Sequence, residues 1–171
     1  MRTEHDALWT VTCAEYPRGL VRVRRRSGLT QVVVADRGEV GAPAPDSFAA
    51  AACTRDGELL LSLRAAPPAI VVGAADLRTR PADGGGHDSE FPGPGQRLIL
   101  LSCAAFEAAP TLLATGGDPT QDLLGTEDPE RLLLALLGAG GRGAGTVIDR
   151  HVDPDPEADL PTNGSAAERD R

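Results

Sequence analysis

Short apolar runs dominate the first two-thirds of the chain, and turn residues separate them at the intervals typical of antiparallel sheets. The predicted strands are Leu8–Cys13, Leu20–Arg25, Thr30–Ala35, Phe48–Arg55, Glu58–Arg64, Ala69–Val72, Arg97–Ser102 and a final strand at Thr146–Arg150. Asp56-Gly57 lies between two of these runs and predicts a two-residue hairpin of type I′. The stretch Arg80–Gly95 is dense in Gly, Pro and Asp, so it predicts a surface loop.

Helical periodicity appears only late in the chain. Asp128-Pro129-Glu130 combines a capping residue, a proline suited to the first helical position and an acidic first turn, and the predicted helix ends at Gly138. Asp118-Pro119 predicts a short helix before it, and Ala104–Leu113 a further turn or two. Strands followed by helices predict an α+β domain in which antiparallel β-sheets pack with the helices on one face.

The length and composition fit one domain over residues 1–151, followed by a tail. Residues 152–171 are acidic and lack the apolar area that would offset the cost of ordering, so we expect a disordered acidic tail. The net charge of −8 argues against nucleic acid as a partner. The chain has no apolar run long enough for a transmembrane helix and no recognisable targeting signal, which predicts no membrane association and a cytoplasmic protein. Its three cysteines, Cys13, Cys53 and Cys103, are an odd number at wide spacings, unlike a disulfide framework or a paired zinc site. We therefore interpret them as buried reduced thiols.

Several motifs invite a functional interpretation that their context weakens. Gly138–Gly143 matches G-x-G-x-x-G, but it follows a helix and precedes a strand, so we interpret it as a connection. His87–Glu90 gathers catalytic residue types in a predicted loop, where sequence neighbours cannot converge on one reacting atom. His5 and His151 have no metal-ligand spacing.

The run Val21–Arg26 predicts a half-buried strand with one face lined by guanidinium groups. Such a face is compatible with a solvated sheet edge, because charged edges prevent unwanted strand pairing. It is also compatible with a surface that grips a phosphopeptide or a carboxylate-rich partner.

Asp36 has the most suggestive setting of the carboxylates, since a buried strand delivers it to a glycine-containing turn. Magnesium and manganese favour carboxylate and backbone carbonyl oxygens. Asp36, Glu39 and the carbonyl of Gly38 are therefore candidate metal ligands, although an ordinary turn has the same sequence.

The order of segments resembles a metal-dependent serine/threonine phosphatase domain of the SpoIIE type, in the PPM family. Pro94–Ala108 resembles that family's Pro-Gly-Asp-Arg-Leu-Leu-Leu-Tyr-Ser-Asp-Gly-Leu-Thr-Glu-Ala segment, and Leu63–Val72 resembles its Ala-Gly-His-Pro-Pro turn with the following strand. Val33–Gly41 is similar to its early metal motif, Asp-Val-Ser-Gly-His-Gly. The resemblance implies a PPM-type fold, and for an active member Mn or Mg and a metal-bound water as nucleophile.

The departures from the family pattern are concentrated at its metal ligands. Cys103 stands where the family has an aspartate, Ala65-Ala66 replace Gly-His, and Gly143–Gly145 stand where an acidic pair precedes the final strand. The interval from Asp36 to Ala66 is also too short for the two helices the family inserts there. The resemblance thus implies a shortened, degenerate relative with Asp36 as the surviving ligand.

Three hypotheses follow for the function. The first is a catalytically silent regulatory binding module in partner-switching signalling, with an antagonist protein or a kinase-like regulator as partner and no cofactor. The second is an active Mn- or Mg-dependent serine/threonine protein phosphatase. The third is an unrelated α+β domain.

Overall fold

The structure is a computed structural model, and it describes residues 1–37, 46–73, 76–82, 85–108, 128–138 and 140–151. These ranges contain eleven strands and two helices. The strands are β1 (Arg2–His5), β2 (Trp9–Glu15), β3 (Gly19–Arg26), β4 (Leu29–Asp36), β5 (Phe48–Cys53), β6 (Leu59–Arg64), β7 (Ala69–Val72), β8 (Leu77–Arg80), β9 (Gly86–Glu90), β10 (Arg97–Leu101) and β11 (Ala144–Arg150). The helices are α1 (Cys103–Ala108) and α2 (Pro129–Gly138).

The strands form two antiparallel sheets that face each other. One sheet has six strands in the order β1-β2-β11-β10-β7-β8, and the other has five in the order β3-β4-β5-β6-β9. Strand alternation decides which side chains fill the space between them. Along β10, Leu98 and Leu100 join the core between the sheets, whereas Ile99 and Leu101 face the helices, so this strand is buried on both faces.

The second core lies on the outer face of the six-stranded sheet and is closed by α1 and α2. Asp128 caps α2 as the sequence predicts, because its Oδ1 accepts a hydrogen bond from the Glu130 N–H at 2.9 Å. The helix buries four leucines, Leu132, Leu133, Leu136 and Leu137. Each contributes on the order of 1.5–3 kcal/mol when fully buried. The predicted α+β architecture with helices on one face is confirmed.

Two local predictions are wrong. Arg80–Gly95 is not a loop throughout, because β9 pairs with β6 across this stretch. This strand is held by charge rather than apolar content: both oxygens of the buried Glu90 carboxylate accept guanidinium N–H groups, one from Arg78 and one from Arg80, each at 2.7 Å. The polar strands β1 and β8 were likewise not predicted, since neither shows an apolar run.

The hairpin at Asp56-Gly57 exists, but it is not a two-residue type I′ turn. The Thr54 N–H donates to the Glu58 carbonyl at 2.9 Å, which leaves a three-residue loop. In that loop Gly57 has a positive φ of 87° and Asp56 does not, whereas type I′ needs both. The turn with two consecutive positive φ values is Ser27-Gly28, between β3 and β4.

Other predictions concern residues at the limits of the described structure. The predicted turns at Ala104–Leu113 correspond in part to α1, whose described residues end at Ala108. The predicted short helix at Asp118-Pro119 and the predicted tail at 152–171 lie outside the described residues. Neither described helix is long and apolar enough to cross a membrane.

Candidate functional site

Asp36 lies at the end of β4, where the five-stranded sheet comes closest to the start of α1. Its Oδ2 accepts a hydrogen bond from the Ala104 backbone N–H at 3.0 Å. Its Oδ1 is buried and has no hydrogen-bond partner among the described residues. A buried acceptor left unpaired costs about 1–3 kcal/mol, and more for a charged group. Asp36 therefore links the end of β4 to the start of α1, while its other oxygen stays unpaired among the described residues. The other candidate ligands, Gly38 and Glu39, lie outside the described residues.

Cys103 is the first residue of α1 and meets two other strand ends at the same place. Its Sγ lies 3.2 Å from Ser47 Oγ, just before β5, and 3.4 Å from the carbonyl oxygen of Ala65, just after β6. The thiol is partly exposed. Four chain segments thus meet at one end of the sandwich. They are the end of β4 with Asp36, the start of α1 with Cys103, the residue before β5 and the residue after β6.

Ala65 retains an unusual backbone conformation at this site. Its φ of +44° lies in the left-handed region, which glycine adopts without strain and alanine does not. The resemblance places a glycine of the family's turn here. The backbone at Ala65 thus has a φ that a glycine at this position would adopt without strain.

Gly143 lies against the start of α1, and Gly145 faces the core beneath the helices; both stand where the resemblance implies an acidic pair. A Cβ on Gly143, whose φ is +96°, would lie 2.7 Å from the Ala105 backbone nitrogen and 2.8 Å from Ser102 Oγ. A Cβ on Gly145 would lie 2.9 Å from Leu101 Cδ2. Ser102 Oγ also accepts the Ala144 N–H at 3.1 Å, which fixes this strand against α1. No side chain can project from either glycine without moving its neighbours.

The donor set does not fit a two-metal centre. Among the described residues, no group of three or more His, Cys, Asp or Glu side chains is placed to hold a metal ion. The groups that meet here are one carboxylate, already partly used by Ala104, and a thiol, which is a poor ligand for the hard ions Mg²⁺ and Mn²⁺. The unpaired Asp36 Oδ1 is the one feature in this part of the structure that a cation would satisfy.

The other sequence motifs lie elsewhere. His87–Glu90 forms most of β9 at a sheet edge. Gly138–Gly143 leads from α2 towards β11, which agrees with its interpretation as a connection. His5 Nδ1 and His151 Nε2 both contact Thr10 Oγ1, at 3.0 and 2.6 Å. The sequence gives no sign of this proximity, because their strands lie at opposite ends of the chain.

The cysteines are free, as predicted, and they divide into two environments. Cys13 and Cys53 are buried. Burial raises the pKa of the Cys53 thiol to about 12, and it also raises the pKa of the Cys13 thiol. Cys103 is partly exposed, so the prediction of burial is wrong for this thiol.

Solved structures of other proteins share the two-sheet fold of this chain. The phosphatase domain of the cell fate determinant SpoIIE from Bacillus subtilis superposes with a TM-score of 0.62 at 12% identity, over 93% of this chain and 100% of that one. The RsbU and RsbW domains of a Mycobacterium tuberculosis protein give 0.62 at 12% identity, over 87% of this chain and 63% of theirs, so this chain spans less than two-thirds of that longer one. RsbX in complex with magnesium gives 0.51 at 6% identity, over 87% of this chain and 98% of that one.

The sequence itself matches no family model and no curated protein. Identities of 6–12% establish shared architecture only. The chain has the fold of a PPM-type phosphatase domain, as the resemblance implies.

Proposed function

We propose that this protein is a phosphatase-like regulatory module that binds a protein partner and does not hydrolyse phosphoesters. The observation that carries the proposal is the crowding at Gly143, next to the start of α1 where Cys103 lies. A two-metal phosphatase needs several carboxylates at such a site, and here the Ser102 hydroxyl and atoms of Ala105 lie where a side chain at position 143 would begin. The fold is preserved around a site whose ligands are replaced.

The setting we propose is partner-switching signalling in the cytoplasm. Two proteins of the same fold carry names from such systems, RsbU with RsbW and RsbX. The partner would be a phosphorylated antagonist protein or a kinase-like regulator, in keeping with the sequence resemblance. The shared fold over most of the chain counts against the third hypothesis, an unrelated α+β domain.

A second candidate is an active metal-dependent phosphatase, and the unpaired Asp36 Oδ1 favours it. A cation on that oxygen would relieve the cost of burying it. Such an enzyme would need further ligands, with Gly38 and Glu39 as the sequence candidates. We derive no catalytic step for it, because the described donor set does not fit the metals.

A turnover assay separates the two candidates. Phosphate release from a phosphoserine peptide and from p-nitrophenyl phosphate would be measured with excess Mn²⁺, using the wild-type protein and Asp36→Asn. Asparagine keeps an oxygen that can accept the Ala104 N–H, so it changes the charge while preserving this contact. We expect no release above buffer from either protein. Mn²⁺-dependent release that Asp36→Asn abolishes would establish the enzyme instead.

The partner is tested by crosslinking from the site. A photoactivatable maleimide would label Cys103 selectively, because Cys13 and Cys53 are buried and their thiols stay protonated. We expect light-dependent crosslinks to one protein, absent from Cys103→Ser and competed by unlabelled wild-type protein. Crosslinks that unlabelled protein does not reduce would contradict a specific partner at this end.

A further inference from the structure

A cationic basin lies at the other end of the sandwich from Asp36. The turns that join β1 to β2, β3 to β4 and β5 to β6 surround a cavity of about 700 Å³. In the ladder between β3 and β4, Gly19 pairs with Asp36 at one end and Arg26 pairs with Leu29 at the other. Eight residues at a rise of about 3.3 Å place the basin roughly 25 Å from the candidate site.

Two guanidinium groups of the basin carry hydrogen-bond donors that no described residue uses. Arg26 and Arg55 are exposed and line the cavity. Neither forms an ion pair within the described part of the chain, whereas Arg25 is held by Glu4, with Nε 3.0 Å from Oε2. Each guanidinium offers five N–H donors in a fork that matches a carboxylate.

Asp6 is the one carboxylate among the residues that line the cavity, and both of its oxygens already accept hydrogen bonds. Asp6 Oδ1 accepts the backbone N–H groups of Leu8 and Trp9 at 3.1 and 3.0 Å. Its Oδ2 accepts the Thr30 hydroxyl at 3.2 Å. Asp6 lowers the positive charge of the basin but leaves the Arg26 and Arg55 donors available.

The position of Arg55 depends on glycine at position 28. Its side chain lies across Gly28, where a Cβ would come within 2.6 Å of the Arg55 Cζ. The φ of +85° at Gly28 also requires a residue without a Cβ penalty. Gly28 therefore allows both the type I′ turn and the close approach of the guanidinium.

The arginine face of β3 continues the basin along a sheet edge. Strand alternation puts Arg22, Arg24 and Arg26 on one face, all exposed, and β3 is the outermost strand of its sheet. Guanidinium groups at every second residue repeat at about 6.6 Å. Their complement is an extended peptide with a carboxylate at every second residue.

This chain carries such a peptide immediately after the basin. The last described residue, His151, donates its N–H to the Leu8 carbonyl at 2.9 Å, and its Nδ1 lies 3.3 Å from the Ala7 carbonyl oxygen. Both Ala7 and Leu8 line the cavity. The residues that follow read Val-Asp-Pro-Asp-Pro-Glu-Ala-Asp, with carboxylates at 153, 155, 157 and 159. The two prolines favour an extended backbone in the residues before them.

We propose that the basin and the arginine face of β3 bind the acidic segment 153–159 of this same chain. Asp153 and Asp155 are within about 7 and 14 Å of His151 in an extended chain, which suffices to reach Arg26 and Arg55. Exposed ion pairs contribute only about 0–1 kcal/mol each. Four pairs at the upper end of this range total about 4 kcal/mol, which corresponds to a dissociation constant of about 1 mM. Covalent attachment supplies an effective concentration in the same millimolar range, so the contact requires all four carboxylates to pair. The inference is independent of the proposed function, because it concerns the opposite end of the fold.

Nuclear magnetic resonance of the full chain tests this contact with a charge-matched control. The variant Asp153→Asn/Asp155→Asn removes two charges from the segment, and Glu168→Gln/Asp170→Asn removes two from the end of the sequence. We expect the first variant to shift the Gly28 amide and the Nε–H signals of Arg26 and Arg55, and the second to leave them unchanged. About 0.5 M NaCl should reproduce the shift in the wild type, because exposed charges are screened.

Titration of a synthetic 153–159 peptide into the first variant completes the test. We expect saturable shifts that return the three signals towards their wild-type positions. Identical spectra of wild type and Asp153→Asn/Asp155→Asn would overturn the proposal. So would equal shifts from both variants, or a peptide that binds although neutralising the tethered segment has no effect. The last result would assign the basin to an acidic peptide of another protein.

Discussion

Substitution of Gly143 by alanine probes the crowding next to the start of α1. The added Cβ has two costs. Residue 143 has a φ of +96°, which is unfavourable for a residue with a side chain. The added Cβ would also lie 2.7 to 2.9 Å from three atoms of Ser102 and Ala105. Left-handed backbone costs about 1–2 kcal/mol, of which about 0.4–1 kcal/mol is recovered because alanine restricts the unfolded chain. Overpacking adds about 1–3 kcal/mol.

Gly141→Ala is the matched control, because it shares the backbone cost without the overlap. Gly141 has a φ of +59°, and no atom lies within 4 Å of where its Cβ would be. We expect Gly141→Ala to lower the free energy of unfolding by about 1 kcal/mol or less and Gly143→Ala to lower it by about 2–4 kcal/mol.

Urea denaturation followed by far-ultraviolet circular dichroism measures both variants under identical conditions. The difference between the two free energies isolates the steric part. If both variants lose the same free energy, the space beside Ser102 and Ala105 is open. A carboxylate side chain at position 143 would then fit, contrary to the crowding described above.

Three further predictions concern the turn and the thiols. Ala65→Gly should raise the free energy of unfolding by up to about 1 kcal/mol, because glycine relieves the strain of a φ of +44°. The control Ala66→Gly should lower it. If urea titration shows a lower free energy of unfolding in both variants, the turn at Ala65 is not strained. Burial raises the pKa of Cys53 to about 12 from 9.0, so the unfolded chain loses its proton first and stability falls as pH rises from 9 towards 12, by about 1.4 kcal/mol per pH unit. Urea midpoints at pH 8 and pH 10.5 should show this loss, smaller in Cys53→Ala; an equal loss in both proteins would exclude Cys53 as its source. Maleimide should label one thiol per native molecule, at Cys103, as counted by mass spectrometry, whereas rapid labelling of Cys13 would contradict its burial.

The sequence predicts the elements that carry a clear apolar signal. In β10 the four residues after Arg97 are all apolar, and α2 begins directly after the predicted cap Asp128 and ends at the predicted Gly138. The strands β1 and β9 could not be predicted, because hydrogen bonds to neighbouring strands and ion pairs to residues distant in sequence hold them, and neither leaves a local apolar pattern. Glu90 shows the reason: its buried carboxylate is stable only because Arg78 and Arg80 converge on it from β8.

The site could be predicted in outline through its resemblance to the phosphatase family. That resemblance selects Asp36 and Cys103, and the structure brings them to the same end of the sandwich. The steric role of Gly143 could not be predicted, since a glycine in sequence does not reveal what lies where its side chain would be. The unpaired oxygen of Asp36 is likewise a property of packing.

Direct measurement of Mn²⁺ binding tests the proposal that this protein holds no two-metal centre. Isothermal titration of Mn²⁺ into the full chain at pH 7.5 would be compared with the same titration of Asp36→Asn. We expect no stoichiometric binding and the same heats for both proteins. Two equivalents of tightly bound Mn²⁺ that disappear in Asp36→Asn would contradict the proposal and favour the second candidate, a metal-dependent phosphatase.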